Sequence, residues 1–290
     1  MESNYPPLMT TYESLLGSTA MKLPDDEDGS GTSVDQLPLI DLARLHQSCG
    51  DHERKECKKE IAEASRTWGF FQVINHGVSK DLLHRISTEQ MKLFRQVPFD
   101  EKRQNVKKLL SLSKDDTTTY RWGSQNAASI NRLSWSEAFH IPMAALLDEY
   151  QKINHHQNTS TTNTNSLRLT IEEFGEAASD LALKLARILA EEAAGADHHS
   201  NNYFAEDNGF KSSDFLTILY QDQVGGLQLL KDDGKWITVK PMEDALIVNR
   251  GDFFQAWSNG AYKSMEHRAM TNNRLERFSV AYFMSPSPDT

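Results

Sequence analysis

Cysteine is scarce in this chain of 290 residues, which has Cys49 and Cys57 and no others. Two thiols cannot build a disulfide framework, so both are expected to be reduced, as in intracellular proteins. Apolar runs are short. None approaches the ~20 residues that span a bilayer. The opening MESNYPPLMTTYESLLGSTA lacks the basic start and continuous apolar stretch of a secretory signal. A cytoplasmic protein without a membrane partner is the expectation. Cations are the minority charge: 31 Lys and Arg face 41 Asp and Glu, a formal net charge of −10. Nucleic-acid binding needs clustered cations to neutralise phosphates, and that class is excluded. Nothing in the composition sets an oligomeric state.

What is present divides into four stretches. Residues 1–36 read as a disordered tail, because DDEDGSGTS (25–33) has too little apolar surface to offset its ordering entropy. Residues 37–145 form a mixed N-terminal region. LPLIDL (37–42) reads as a short strand, 53–67 has helical spacing stopped by Gly69, and FFQVINHG (70–77) is a buried strand. Ser79 N-caps a second helix carrying Leu82, Leu83, Ile86, Met91 and Phe94, and Pro98 opens a third helical piece. Aromatic strands follow in YRWG (120–123) and LSWSEAFHIP (133–142). Residues 146–200 are a connector. Its helix is predicted to start at a capping box of Thr170 and Glu173 and to run to Ala194, with Ile171, Phe174, Ala178, Leu181, Leu185 and Leu189 as one apolar stripe.

Residues 201–290 change to short strands between turns. FLTILY, LQLL, WITV, ALIVN, FFQAWS and RFSVAYF are separated by Gly225-Gly226, Asp233-Gly234, Gly251 and Asn259-Gly260. Asp-Gly and Asn-Gly favour two-residue hairpins. Regular short strands of this kind predict a sandwich or barrel. The fold class is therefore α+β, a helical N-terminal region packed on a jelly-roll-like pair of sheets.

Three polar residues on the last strands invite chemistry. Arg277 and Ser279 lie two apart, so a strand presents both on one face. A guanidinium fork beside a hydroxyl suits a carboxylate. A surface Arg next to a solvated Ser is the plainer alternative, and both readings stand open. His267, alone, is one imidazole, whereas a 2-His-1-carboxylate iron site needs three protein ligands. Tyr120, Trp122, Trp135 and Phe139 either line an apolar pocket or pack as core aromatics.

The stretches LPLIDL, WGFFQVINHGV, YRWG, LSWSEAFHIP, SDFLTILYQDQVGGLQLL, DALIVN, GDFFQAWSNG, YKSMEHR and RFSVAYF occur in an order that resembles the plant 2-oxoglutarate- and Fe(II)-dependent dioxygenases, the gibberellin 2-oxidases of the C20 branch above all. The resemblance makes the jelly-roll-like pair of sheets a partial double-stranded β-helix and implies an oxidoreductase that uses Fe(II) and 2-oxoglutarate on a small diterpenoid acid. It makes His267 the distal iron-binding histidine, Arg277 and Ser279 the pair gripping the far carboxylate of 2-oxoglutarate, and the four aromatics the substrate pocket. The sequence departs from the family at 210–212, where a His-x-Asp ligand pair is replaced by Phe210, Lys211 and Ser212. The segment the family carries just upstream is also missing, and the sequence given closes at SPSPDT, ahead of the family's helical tail. Asp214 lies about 6.6 Å from position 212 along a strand, too far to replace a ligand held at about 2 Å. His198, His199 and Asp207 in the preceding loop could fold back to the site, but the adjacent histidines that follow a helix are expected to be solvated.

Overall fold

The computed structural model describes residues 36–110, 118–123, 134–146, 164–194, 215–260, 262–272 and 274–285. The expected tail and the 195–214 stretch lie outside them, with His198, His199, Asp207, Phe210, Lys211, Ser212 and Asp214. The chain divides into two compact units that interleave along the sequence. One takes in Arg85–Glu173, the other Gly31–His84 and Phe174–Thr290.

The larger unit is built on a five-stranded sheet in the spatial order Leu39–Asp41 (β1), Phe70–Ile74 (β2), Leu246–Arg250 (β8), Leu216–Gln221 (β5) and Ser279–Met284 (β10). Strand β1 (Leu39–Asp41) ends where Asp41 Oδ1 accepts the Ala43 N–H at 2.9 Å and starts a 3-10 turn, Leu42–Leu45. Helix α1 (Asp51–Trp68) buries Cys57, Ile61, Ala62, Ala64 and Ser65 and stops at Gly69. Gly69 is left-handed (φ 65°), and a Cβ there would stand 2.5 Å from Met265 Cγ. A side chain there would be strained in conformation and would have to displace Met265. The chain then turns into β2 (Phe70–Ile74), which pairs parallel with β1 and antiparallel with β8 (Leu246–Arg250). Both β2 and β8 are buried on two faces and are accordingly mostly apolar, with Gln72, Asn249 and Arg250 as their buried polar members. Strands β5 (Leu216–Gln221) and β10 (Ser279–Met284) complete the sheet.

A three-stranded sheet, β7-β6-β9, joins Trp236–Thr238, Leu227–Leu230 and His267–Ala269. Leu37, Phe70, Leu227, Leu229, Val239 and Ile247 form a core with side chains from both sheets. Cys49 and Cys57 are free thiols, as expected, and burial pushes the Cys57 thiol up in pKa. No helix among the described residues is long and apolar enough to cross a membrane.

In the smaller unit, β3 (Thr119–Trp122) and β4 (Glu137–His140) form an antiparallel pair. Most of helix α2 (Lys80–Gln96) and the short α3 (Phe99–Gln104) and α4 (Val106–Leu109) accompany it. Helix α5 (Thr164–Ala194) belongs to both units along its length. Its predicted stripe is buried from Phe174 to Leu189.

Three expectations fail for physical reasons. Helix α5 begins at Thr164, so Thr170 is not a cap: its hydroxyl bonds back to Ser166 O at 2.8 Å, while Glu173 pairs with Arg85. FFQAWS is not a strand but helix α6 (Asp252–Trp257). Asn259 and Gly260 do take positive φ, 50° and 78°, but they close this helix, with Gly260 N–H bonded to Gln255 O at 2.9 Å. At Asp233-Gly234 only the glycine has positive φ, so the β6–β7 turn is not the two-residue form the dipeptide suggested.

Candidate functional site

Strand β5 runs into a turn that organises the polar end of the larger unit. Asp222 Oδ1 accepts the Val224 N–H at 3.0 Å, and its Oδ2 accepts the Phe278 N–H at 2.6 Å. One carboxylate thereby ties the turn to the start of β10. Gly225 and Gly226 follow with φ 78° and 97°. A Cβ on Gly226 would meet Met270 O at 2.6 Å, so the close approach of the two backbones requires glycine.

Arg277 folds over this turn. Its Nε donates to Gly225 O at 2.6 Å, Nη1 to Ser279 Oγ at 3.1 Å and Nη2 to Gln221 Oε1 at 3.3 Å. Described residues engage three of the five guanidinium N–H groups, which leaves one on each terminal nitrogen for a carboxylate. Ser279 Oγ accepts from Arg277, so its own O–H remains to donate. Burial lowers the Arg277 pKa and the neighbouring Asp222 opposes that shift. The guanidinium stays charged at any ordinary pH. Arg277 and Ser279 are thus brought together in one acceptor-seeking clamp.

His267 sits on the other sheet, where β9 pairs with β6 at Leu229. Its ring lies edge-on to Phe70 at 5.2 Å, and Nδ1 is 3.1 Å from Met265 O. A carbonyl only accepts, so Nδ1 carries the proton and the lone pair is on Nε2, the tautomer suited to a metal. Yet no group of three His, Cys, Asp or Glu side chains that would hold a metal occurs among the described residues. His267 is the imidazole the described residues bring here, and one imidazole alone does not fit ferrous ion.

The four aromatics divide. Tyr120 faces Phe139 across the β3–β4 pair at 4.8 Å, and Phe139 packs on Leu93, Leu110 and Leu167. The Tyr120 hydroxyl bonds Glu137, and burial followed by that bond drives its pKa far above the usual phenol range. Glu137 also pairs with Lys102, a side chain 4% exposed whose Nζ donates to Phe94 O at 2.9 Å. Trp122 and Trp135 meet edge to face at 6.4 Å, and Trp135 is 42% exposed. Sequence reasoning missed Gln221 and Asp222, which hold Arg277 and its strand. Asp222 two residues before Val224 was a turn signal available to find.

Residues 197–286 match the model of the 2OG-Fe(II) oxygenase superfamily, and residues 37–163 match that of the non-haem dioxygenase N-terminal region in morphine synthesis. Gibberellin 2-beta-dioxygenase 8 of Arabidopsis thaliana is 43% identical over 98% of this chain and 86% of its own length. The chain belongs to the 2-oxoglutarate- and Fe(II)-dependent oxygenases. Gibberellin 2-beta-dioxygenase 6 of Oryza sativa subsp. japonica is 42% identical, covering 90% of this oxygenase chain and 76% of the relative. The crystal structure of JOX2 in complex with 2OG, Fe and JA superposes with a TM-score of 0.65 at 28% identity, over 100% of this chain and 86% of that one. The first alignment is 318 positions long yet takes in 98% of 290 residues, so about thirty positions of that relative have no counterpart in this oxygenase.

Proposed function

We propose that this chain is a gibberellin 2-oxidase-type protein that binds 2-oxoglutarate through Arg277 and Ser279 and, lacking a ferrous ligand set, does not turn it over. The clamp carries this reading: a half-buried guanidinium keeps one N–H on each terminal nitrogen free of described partners, beside a serine hydroxyl able to donate. Those donors match the far carboxylate of a short dicarboxylate. Kinship with two gibberellin 2-beta-dioxygenases at 42–43% identity supports a gibberellin-like diterpenoid acid as the small-molecule ligand. Tyr120, Trp122, Trp135 and Phe139 are the residues proposed to meet its apolar body, Trp122 and Trp135 by their exposed faces.

In this family bound iron supplies oxygen activation coupled to decarboxylation of 2-oxoglutarate to succinate. His267 is the residue here that would contribute a ligand. With Phe210 and Ser212 at the two other ligand positions, no step is assigned to the metal. The second reading, a working dioxygenase that hydroxylates a gibberellin, is favoured by the length and identity of the match.

Calorimetric titration with 2-oxoglutarate, anaerobic titration with Fe(II) and a succinate assay separate the two. The expected result is saturable 2-oxoglutarate binding, no stoichiometric iron and no succinate. Arg277→Met should weaken 2-oxoglutarate about 10- to 100-fold, the loss of a charge-assisted pair of hydrogen bonds. One iron per chain with succinate release establishes the working enzyme instead. Unchanged affinity in Arg277→Met removes the clamp.

A further inference from the structure

Among the described residues each sheet ends in strands that pair on one side only, and these edges are not alike. Strand β1 has three residues, follows Pro38 and ends on Asp41. Strand β7 has three, between Lys235 and the pair Lys240-Pro241. Strand β9 has three, with Arg268 at its centre stacked 3.8 Å over Trp236. Strands β3 and β4 each carry charge, at Arg121 and Glu137. Shortness, charge and proline are the devices that keep sheet edges from pairing with other chains. Strand β10 has none of them. It is six residues long, reads SVAYFM without a charge or a proline, and exposes 49% of Phe283.

The register tells which backbone groups are free. Asp222 N–H bonds Phe278 O at 3.1 Å, and the β5 partners then alternate through Val280, Tyr282 and Met284. The N–H and C=O groups of Ser279, Ala281 and Phe283 therefore point to the open side, where no described residue bonds them. These three positions are self-complementary. Set antiparallel to a second copy about a two-fold axis at Ala281, Ser279 faces the partner copy's Phe283, and about six backbone hydrogen bonds form. No charge opposes a like charge, and the small Ala281 side chain lets the strands approach at the axis. Because the contact is isologous and the other edges are guarded, association closes at two.

We propose that the free edge of β10 is an interface for a second copy of this chain, joining two five-stranded sheets into one. Sedimentation velocity and light scattering on the full chain between about 1 and 100 µM test it. Wild type is expected to move from the 32.9 kDa monomer to twice that mass as concentration rises. Ala281→Pro, which removes the central donor while leaving the β5 bonds in place, should stay monomeric with its circular dichroism intact. Phe283→Lys changes only an exposed side chain and supplies the same test if the proline variant does not fold. Retained 2-oxoglutarate affinity in Phe283→Lys is expected, which separates this interface from the carboxylate clamp. A wild-type monomer throughout, dimers in Phe283→Lys equal to wild type, or a sedimenting polymer in place of a dimer each overturns the proposal.

Discussion

His76 is held by two backbone groups of opposite kind. Its Nε2 is 2.9 Å from Asp244 O and its Nδ1 accepts the Val78 N–H at 3.1 Å. A proton on Nδ1 would face another N–H. Burial lowers the His76 pKa, partly countered by the bond to Asp244 O. The folded pKa is below the unfolded one, so the contribution to stability is complete above about pH 6.5 and is lost as pH falls below that value. Chemical unfolding between pH 7.5 and 5.5 should show declining stability that flattens in His76→Gln. Neither this role nor that of Arg250 was legible in the sequence. Arg250 extends the apolar run ALIVN into the core, where it is 2% exposed and donates to Lys263 O at 2.7 Å. Burial pushes its pKa down to about 10, because a dry site opposes charge. A charged residue at the end of a strand reads as solvated unless the carbonyls that wait for it are known. Arg277 and Ser279, by contrast, were readable as a pair because strand alternation alone puts them on one face.

At the scale of elements, periodicity was sound where an apolar stripe met one continuous surface. Helix α5 shows it: Phe174, Ala178, Leu181, Leu185 and Leu189 are all buried, in the spacing that predicted them. Leu185 has no exposed surface. Leu185→Ala should cost about 2–5 kcal/mol, read as a lowered urea midpoint at unchanged slope. The helix start was misplaced because NTNS reads as loop, and Thr170-x-x-Glu173 satisfies the capping pattern while its groups are used elsewhere. Helix α6 was misread for a related reason. FFQAW is too short to show a period of 3.6 and too aromatic to argue against a strand. Its N-terminal Gly251 and closing Asn259-Gly260 fit a hairpin as well as a helix end.

At the scale of the molecule, the α+β class and the strand series of 215–284 could be read from turn residues and apolar runs. The partnership of β2 with β8 could not, since nothing local says that Phe70 will lie beside Asn249. That pairing closes the centre of the main sheet across a sequence separation of about 180 residues. During synthesis Phe70–Ile74, an almost wholly apolar segment, leaves the ribosome about 180 residues before its central neighbour exists. At roughly 5–20 residues per second that interval is on the order of ten to thirty seconds. A chaperone-depleted translation system should therefore yield mostly insoluble product, rescued by adding a holdase while elongation proceeds. The order in which the ribosome delivers these strands obliges the cell to shelter this chain until nearly its last codon has been read.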